Sequence, residues 1–392
     1  MPIKKERVLV LDGRSLASLS IVRSLGSKGM EIHCGESFRS NLTSYSKYVS
    51  KKIIYPSPKD SPDEFIIDIL KIIKKNDYDF IVPVRDDTTL LLAKYKEDIS
   101  KYTNVYLADY EKIKKLNDKG ETVKLARQSG VPVPKTYFPE DMDIEEIKKE
   151  ADYPVLIRPR IGSGSRGIKY ISSENEFDKG YSDVKKRYGT PIVQEYVDKN
   201  GYSTACVLLD ENQNTIGEFS YERTKEYPIS GGPTVVGISH DDKETKRYAT
   251  NLLKSVGWKG PAEVEFILDQ DGNPRLLEVN PRFWMPLNLA VQSGVDFPLL
   301  VYQLSQDDEI ELVEKYKLGV KYRWLIPNEF LWLISEKRKN EEYKEFVDFL
   351  DDNLCYGSIS KDDPLPVIGT VIQSLNFVFD KDKRKQVLDR GW

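Results

Sequence analysis

The sequence predicts a mixed α/β and α+β chain: a first unit with a parallel sheet, two α+β units, and an extension. Three observations carry this. Short apolar runs alternate with helix-spaced segments up to about residue 115. Beyond that point, strands punctuated by glycine and proline predominate. And 392 residues are too many for one ordinary hydrophobic core, so two or three domains are expected.

In the first unit, Val8 to Leu11 reads as a short buried strand and Asp12 to Ser15 as a turn. Leu16, Leu19, Val22 and Leu25 fall at helical spacing, and Gly29 ends that helix. Glu31 to Cys34 is a second strand. A helical stretch from Glu64 to Lys75 precedes a further apolar run, Phe80 to Val84. Strand and helix in alternation imply parallel strands with helices on both faces. The first turn holds one glycine, Gly13, so the shape is Rossmann-like without a dinucleotide fingerprint.

Residues 117–131 suggest another helix, closed by Gly130, and Val131-Pro132-Val133-Pro134 then forces extended backbone. Strands surround a glycine-rich turn between Tyr153 and Val197, with a helix from Glu174 to Arg187. Strands dominate from Tyr202 to Asn280, apart from a helix at Lys243 to Val256. The expected division is 1–115, 116–193, 194–305 and an extension 306–392, in which a helix from Asn328 to Leu350 is the one legible element.

Composition narrows the function. Acidic and basic residues are interspersed at a net charge of −4, with no basic stripe, which argues against nucleic acid. No apolar run approaches the roughly 20 residues that span a bilayer, and the N-terminus lacks a signal-peptide apolar region. Cys34, Cys206 and Cys355 are far apart, which suits reduced thiols in a cytoplasm. His33 and His240 have neither triad nor metal-ligand context.

The sharpest chemical signal is a hairpin pattern, Ala262 to Leu268 and Arg275 to Asn280 around an Asp-Gln-Asp-Gly-Asn turn. If Leu268 opposes Arg275, then Glu265 opposes Glu278 and Glu263 opposes Asn280, all on one face. Like charges directly opposed are destabilising, so a cation between them is the economical explanation. Oxygen ligands on a rigid hairpin suit Mg²⁺ shared with substrate phosphates. Taken alone, the same pattern also describes a solvated hairpin face. Arg282, just beyond, is placed to meet a transferred phosphoryl group.

A second signal lies upstream. Tyr153 to Pro159 is a strand carrying Arg158, and it leads into Gly162-Ser163-Gly164-Ser165-Arg166-Gly167. A strand follows these glycines where a dinucleotide fold would have a helix. The stretch is therefore a hairpin loop whose backbone N–H groups can approach phosphate oxygens, or else a plain loose hairpin. Pro191 to Val197 is an apolar strand whose end can offer backbone hydrogen bonds to an adenine edge.

Together with Asn117-Asp118-Lys119, Gly130 to Pro134, Gln194 to Val197 and Glu278 to Arg282, this ordered set resembles the ATP-grasp superfamily. It is most similar to single-copy, carbamoyl-phosphate-synthase-like carboxylate–amine ligases. The resemblance covers roughly residues 5–305. It implies an ATP-grasp fold: an N-terminal Rossmann-like (pre-ATP-grasp) domain and two α+β subdomains sandwiching ATP. It further implies that Lys119 and Arg158 contact the phosphates under a loop of Gly162, Ser163, Gly164, Ser165 and Gly167. Glu195 and Val197 would meet the adenine. Glu265, Glu278 and Asn280 would hold one or two Mg²⁺ ions, with Mn²⁺ as a substitute, and Arg282 would stabilise an acyl phosphate. Gly201 stands where the family often has an acid for the ribose, which leaves either a weaker ribose contact or Asp198 as a substitute.

The expected activity is ATP-dependent carboxylate–amine ligation through an acyl phosphate, which needs no protein nucleophile. Phosphorylation of bicarbonate is one alternative, and a catalytically silent ATP-binding regulator is another. Arg14 and Ser15, Arg85 and Asp86, and Arg223 and Lys225 are the acceptor-side candidates, at strand ends and in the stretch to Pro233. Expected partners are a small-molecule carboxylate and amine, with a homodimer allowed.

Overall fold

The computed structural model describes residues 5–162, 164–229, 231–313, 315–335, 346–348 and 353–379, with side chains through 375. Its first sheet is wholly parallel: β1 (Arg7–Val10), β2 (Glu31–Glu36), β3 (Val49–Ile54) and β4 (Phe80–Val82), in the order β3-β2-β1-β4. β1 is buried on both faces, as a parallel strand between helices must be. Val8 and Val10 pack with Ala17 and Ile21 of the helix Leu16–Ser27, whereas Leu9 packs with Phe65 and Ile69 of the helix Pro62–Asn76. Strand β3 escapes sequence reading because Lys51 and Lys52 lie exposed in its middle, on the sheet edge.

The second sheet is antiparallel: β5 (Thr136–Tyr137), β6 (Val155–Arg158), β7 (Lys169–Ile171) and β8 (Ile192–Glu195), ordered β5-β8-β6-β7. β8 runs across the expected division at 193 and 194. This sheet has its own core: Ile147, Val155, Ile157, Phe177, Val184 and Val193. The first sheet, by contrast, shares cores with the third. Leu9 and Phe65 belong with Val207, Val264 and Phe266, and Val8 and Phe80 with Phe219 and Trp284. Each such fully buried large side chain contributes about 1.5–3 kcal/mol. The first and third sheets are therefore bound together, while the second is attached by a smaller cluster of Val123, Phe138 and Ile192.

The third sheet has seven strands in the order β13-β12-β9-β10-β11-β14-β15. These are β9 (Gly201–Leu209), β10 (Thr215–Glu226), β11 (Thr234–His240), β12 (Gly260–Leu268), β13 (Pro274–Asn280), β14 (Lys321–Arg323) and β15 (Leu354–Tyr356). The last two come from the expected extension, so residues after 305 complete the large sheet. The helix expected at Asn328 to Leu350 is realised as a distorted helical turn, Leu325–Glu329, running into the helix Phe330–Ser335. Residues 336–345 and 349–350 of that expectation lie outside the described residues. A helix at Pro366–Phe379 has no counterpart in the sequence reading.

Candidate active site

Strands β12 and β13 pair Glu265 with Glu278 and Glu263 with Asn280, the predicted register at the acids. The turn itself differs from expectation. Leu268 opposes Pro274 and Ile267 opposes Arg275, one residue out of step. A β-bulge at Leu277 absorbs the difference and returns the acids to opposition. The bulge also presents the Leu277 carbonyl to Arg158 Nη2, at 3.3 Å.

The acidic face is a charge-balanced network. Asn280 Nδ2 donates to Glu263 Oε2 at 2.9 Å and to Glu265 Oε1 at 3.0 Å. Tyr221 donates its O–H to Glu263 Oε1 at 2.7 Å. Arg223 pairs with Glu265, and Lys119 Nζ lies 3.1 Å from Glu278 Oε2. Burial pushes the Glu263 carboxyl above the usual range, against its bond from Tyr221. Burial works the same way on Glu278, but Lys119, Arg158 and Arg223 outweigh it and hold that carboxyl below its ordinary value. Among the described residues no three His, Cys, Asp or Glu side chains gather as a metal cage. Asn280 directs its amide N–H groups to the acids and its oxygen to Arg282 Nη2, at 3.1 Å. The amide therefore bridges acid and arginine here, where the resemblance assigned it a metal.

Lys119 is the first residue of the helix Lys119–Gln128, whose N-cap Asp118 accepts the Gly120 and Glu121 N–H groups. Asp118 also takes the Nε of Arg160 at 2.8 Å, which ties the helix start to the strand before the glycine loop. Lys119 Nζ donates to Gly162 O at 2.6 Å as well as facing Glu278, so it joins loop and hairpin. Gly164, Ser165 and Gly167 form the turn between β6 and β7 at positive φ, and Ser163 lies outside the described residues. The turn reaches the large sheet. Gly231 has φ +129°, and a Cβ there would stand 2.7 Å from Ser165 Oγ.

Arg158 is buried at the end of β6. Its Nη1 donates to Gln194 Oε1, Gln194 Nε2 in turn donates to Thr136 Oγ1 at 2.9 Å, and Arg158 Nε has no hydrogen-bond partner among the described residues. Burial pulls this guanidinium down from its ordinary value, opposed chiefly by Glu278. Sequence reading assigned no role to Tyr221, and none to Gln194 beyond its place in the motif. Each reads as an ordinary strand residue until the third dimension puts it beside a charge.

At the expected adenine side, the Glu195 carboxylate accepts the Lys135 N–H at 2.7 Å, so the side chain is engaged within its own sheet. Val197, half-buried, lies in the connector beyond β8, and its N–H has no hydrogen-bond partner among the described residues. Asp198 is exposed. The nearby acid is instead Glu226, which takes Lys199 Nζ at 2.7 Å and the Tyr202 hydroxyl at 3.2 Å.

The acceptor-side candidates divide. Asp86 grips Arg282, Nε to Oδ1 at 2.5 Å and Nη2 to Oδ2 at 3.3 Å, so it positions that arginine. Arg282 also donates to Phe283 O at 2.8 Å. Arg85 is exposed, and its N–H binds the buried Asp12 carboxylate at 2.9 Å. Asp12 further accepts Val84 N–H and Thr88 Oγ1, which joins the ends of β1 and β4. Burial raises its carboxyl above the usual range. Arg14 Nε sits 3.5 Å from Glu36 Oε2. Ser15 caps the helix Leu16–Ser27 through its hydroxyl, so that oxygen is committed to structure. Arg223 is buried against Glu265 and lies 4.6 Å from the Tyr202 ring centre, inside the acidic network. Lys225 is buried with Nζ 4.4 Å from the Trp332 ring centre.

Comparison with known proteins agrees with this geometry. Residues 116–286 match the family described as the ATP-grasp domain. The small subunit of a 2-oxoglutarate carboxylase from Hydrogenobacter thermophilus is 26% identical over 183 residues, 43% of this chain and 39% of that protein. The chain thus spans about two-fifths of that curated relative. A biotin carboxylase–ATP complex from Campylobacter jejuni superposes with a TM-score of 0.68 at 18% identity, covering 81% of this chain and 74% of the other. The biotin carboxylase domain dimer of the Hydrogenobacter thermophilus enzyme, with MgADP, ADP and bicarbonate, gives 0.65 at 19% identity over 81% and 74%. At such identities these likenesses speak for the fold. Strand order, glycine hairpin, acidic hairpin and family match converge: residues 116–286 are an ATP-grasp domain, and the chain has the ATP-grasp fold.

Proposed function

We propose that this chain is an ATP-dependent carboxylate–amine ligase that works through an acyl phosphate and releases ADP and phosphate. The observation that carries the reading is the meeting of Lys119, Arg158 and Arg282 with Glu265 and Glu278 at one hairpin, joined through Lys119 to the glycine loop. ATP binding alone needs fewer groups than these.

On this reading Lys119 and Arg158 hold the phosphates, with the loop of Gly162, Ser163, Gly164, Ser165 and Gly167 above them. The Nε of buried Arg158, without a partner among the described residues, is a donor suited to an anionic oxygen. Val197 offers its N–H to the adenine edge, with Glu195 holding the connector in place. The donor set of Glu265 and Glu278, with Asn280 joining on rotation of its amide, is all oxygen and incomplete by itself. That fits one or two Mg²⁺ ions, or Mn²⁺, sharing ligands with phosphates. The metal supplies neutralisation of phosphate charge. Arg282, oriented by Asp86, stabilises the oxyanion that develops at the acyl carbon. The amine nitrogen forms the new C–N bond, the acyl C–O bond to phosphate breaks with its electron pair leaving on phosphate, and the amine proton is released.

The same reading divides the chain near 115, 193–195 and 305. The second sheet, with its separate core, is the element that can close over nucleotide. Three buried free cysteines and interspersed surface charge suit a cytoplasmic enzyme of small molecules. No helix of the described residues is long and apolar enough to cross a membrane. A homodimer is proposed by analogy with the biotin carboxylase domain dimer.

A second reading, phosphorylation of bicarbonate, is favoured by the likeness to a biotin carboxylase domain solved with bicarbonate. ADP release measured over amino acids, dipeptides and bicarbonate separates the two. Amine-dependent release supports ligation, and release with bicarbonate alone supports the second reading. Silence throughout, together with nucleotide binding, returns the chain to an ATP-binding regulator.

A further inference from the structure

Residues after 305 touch both flanks of the acceptor side. On one flank, Gln373 Nε2 donates to the Arg14 carbonyl at 3.1 Å. Its helix, Pro366–Phe379, is seated so closely that a Cβ at Gly369 would come within 2.7 Å of Leu42 Cα and of the Tyr45 ring. The buried Asp363 anchors the approach, taking Arg23 Nε at 2.9 Å, Ser46 Oγ at 2.7 Å and the Lys47 N–H at 2.8 Å. On the other flank, Trp332 covers Lys225. Between the flanks, Trp324 joins Leu16, Leu19, Leu42 and Met285, a cluster beside Ser15 and three residues beyond Arg282.

Two buried polar atoms along this wall, Gln373 Oε1 and Trp324 Nε1, have no hydrogen-bond partner among the described residues. Buried polar atoms are nearly always paired, so such a group in one place calls for an explanation. The Arg14 carbonyl fixes the Gln373 amide with its NH₂ inward, which leaves Oε1 as the open acceptor. Trp324 Nε1 is an open donor, and Arg14, whose Nε faces the Glu36 carboxylate, keeps a side chain 30% exposed. An open acceptor next to Arg14, with exposed Arg85 nearby on the adjacent strand end, matches an amine and a carboxylate on one small molecule.

We propose that the C-terminal segment forms the acceptor-facing wall of the site and that Gln373 is a specificity-determining residue for an α-amino acid, whose N–H meets Gln373 Oε1 and whose carboxylate meets Arg14. This rests on the ligase reading for the chemistry but not for the binding. The test is equilibrium titration of single L-amino acids, in the millimolar range, into protein saturated with Mg²⁺ and a non-hydrolysable ATP analogue, followed by tryptophan fluorescence. Wild type binds at least one amino acid. Gln373→Ala, a substitution favourable to the helix, weakens that binding about 10- to 100-fold. The affinity for the ATP analogue stays unchanged. Absence of amino-acid binding by wild type, or equal binding by wild type and Gln373→Ala, overturns the proposal. ADP release scores the ligase reading separately. Binding without release removes the ligase and leaves the wall, whereas amine-dependent release with an unmoved KM in Gln373→Ala does the reverse.

Discussion

Asp86→Asn is the substitution that tests the geometry most directly. Sequence placed Asp86 among acceptor contacts, whereas the structure turns it onto Arg282 through bonds of 2.5 and 3.3 Å. Asparagine keeps the shape and one acceptor oxygen, so the change removes charge and the second acceptor. A hydrogen bond to a charged group contributes about 1.5–3 kcal/mol net. The Arg282 side chain is 16% exposed but that of Asp86 is 38% exposed, so water screens the pair and the loss is closer to about 1–2 kcal/mol. If Arg282 acts at the developing oxyanion, this appears in kcat as a fall of roughly 5- to 30-fold. KM for amine and ATP stays within about twofold, since neither is held by Asp86. Asp86 also occupies the first turn of the helix Asp86–Lys94, so a small loss of stability, about 0.3–1 kcal/mol, accompanies the change. Steady-state ADP release and a urea midpoint measure both quantities. A large rise in the KM for amine at unchanged kcat would refute the positioning role and return Asp86 to the substrate.

Four further outcomes follow from the same network. Glu278→Ala lowers ADP release by at least about 1000-fold while circular dichroism keeps the native signature, and near-normal turnover removes the metal assignment. Arg282→Lys lowers kcat by roughly 100-fold, because a single ammonium cannot hold Asp86 and the substrate oxygen together; kinetics equal to wild type contradict this. Gly231→Ala strains a left-handed φ by about 1–2 kcal/mol and pushes on Ser165, so KM for ATP rises and the urea midpoint falls in proportion to that strain; an unaltered KM separates that contact from nucleotide binding. Acid sensitivity comes from Glu278, which burial pushes up but Lys119 and Arg158 hold below its unfolded value. Its stabilising share is complete above about pH 4.5 and is lost as pH falls through the lower folded value. Urea midpoints of Glu278→Gln should therefore fall less than wild type between about pH 5 and 3, and parallel curves dismiss the effect.

The opposition of Glu265 and Glu278 was legible because a strand has a period of two and the turn residues lie between two alternating runs. It was legible by partial cancellation, however. The assumed turn was one residue out, and the bulge at Leu277 made up the difference. Nothing in Arg275-Leu276-Leu277-Glu278 announces a bulge, which is stabilised by a long-range bond from Arg158. Lys119, Arg158 and Gly162 were named through local motif order, and the structure brings them to the acidic hairpin. Partner choice was not found. That Asp86 holds Arg282, 196 residues away, or that Gln373 reaches Arg14, depends on which strand ends the fold brings together. The extension was opaque for a related reason: β14 and β15 are three residues each, too short for periodicity, and they are strands only because β11 offers an edge.

The charges of the site explain how one hairpin tolerates so many acids. Glu265 is held by Arg223, Glu278 by Lys119 with Arg158 nearby, and Asp86 by Arg282, while Glu263 is held by neutral donors, the Tyr221 hydroxyl and the Asn280 amide. Mg²⁺ alone would have to displace those cations and leave them buried without an anion, while a triphosphate alone would leave the acids without theirs. On the proposed reading a metal–triphosphate pair would avoid both penalties, because phosphate oxygens would meet the cations and the carboxylates would hold the metal. Binding on the proposed reading is thus an exchange of partners between two neutral sets. Lys119 is the residue through which the exchange reaches the glycine loop, since its ammonium contacts both Glu278 and the Gly162 carbonyl. When it turns to phosphate, it loosens its hold on each at once. On that reading, loop position and metal-site availability would be coupled through that single side chain.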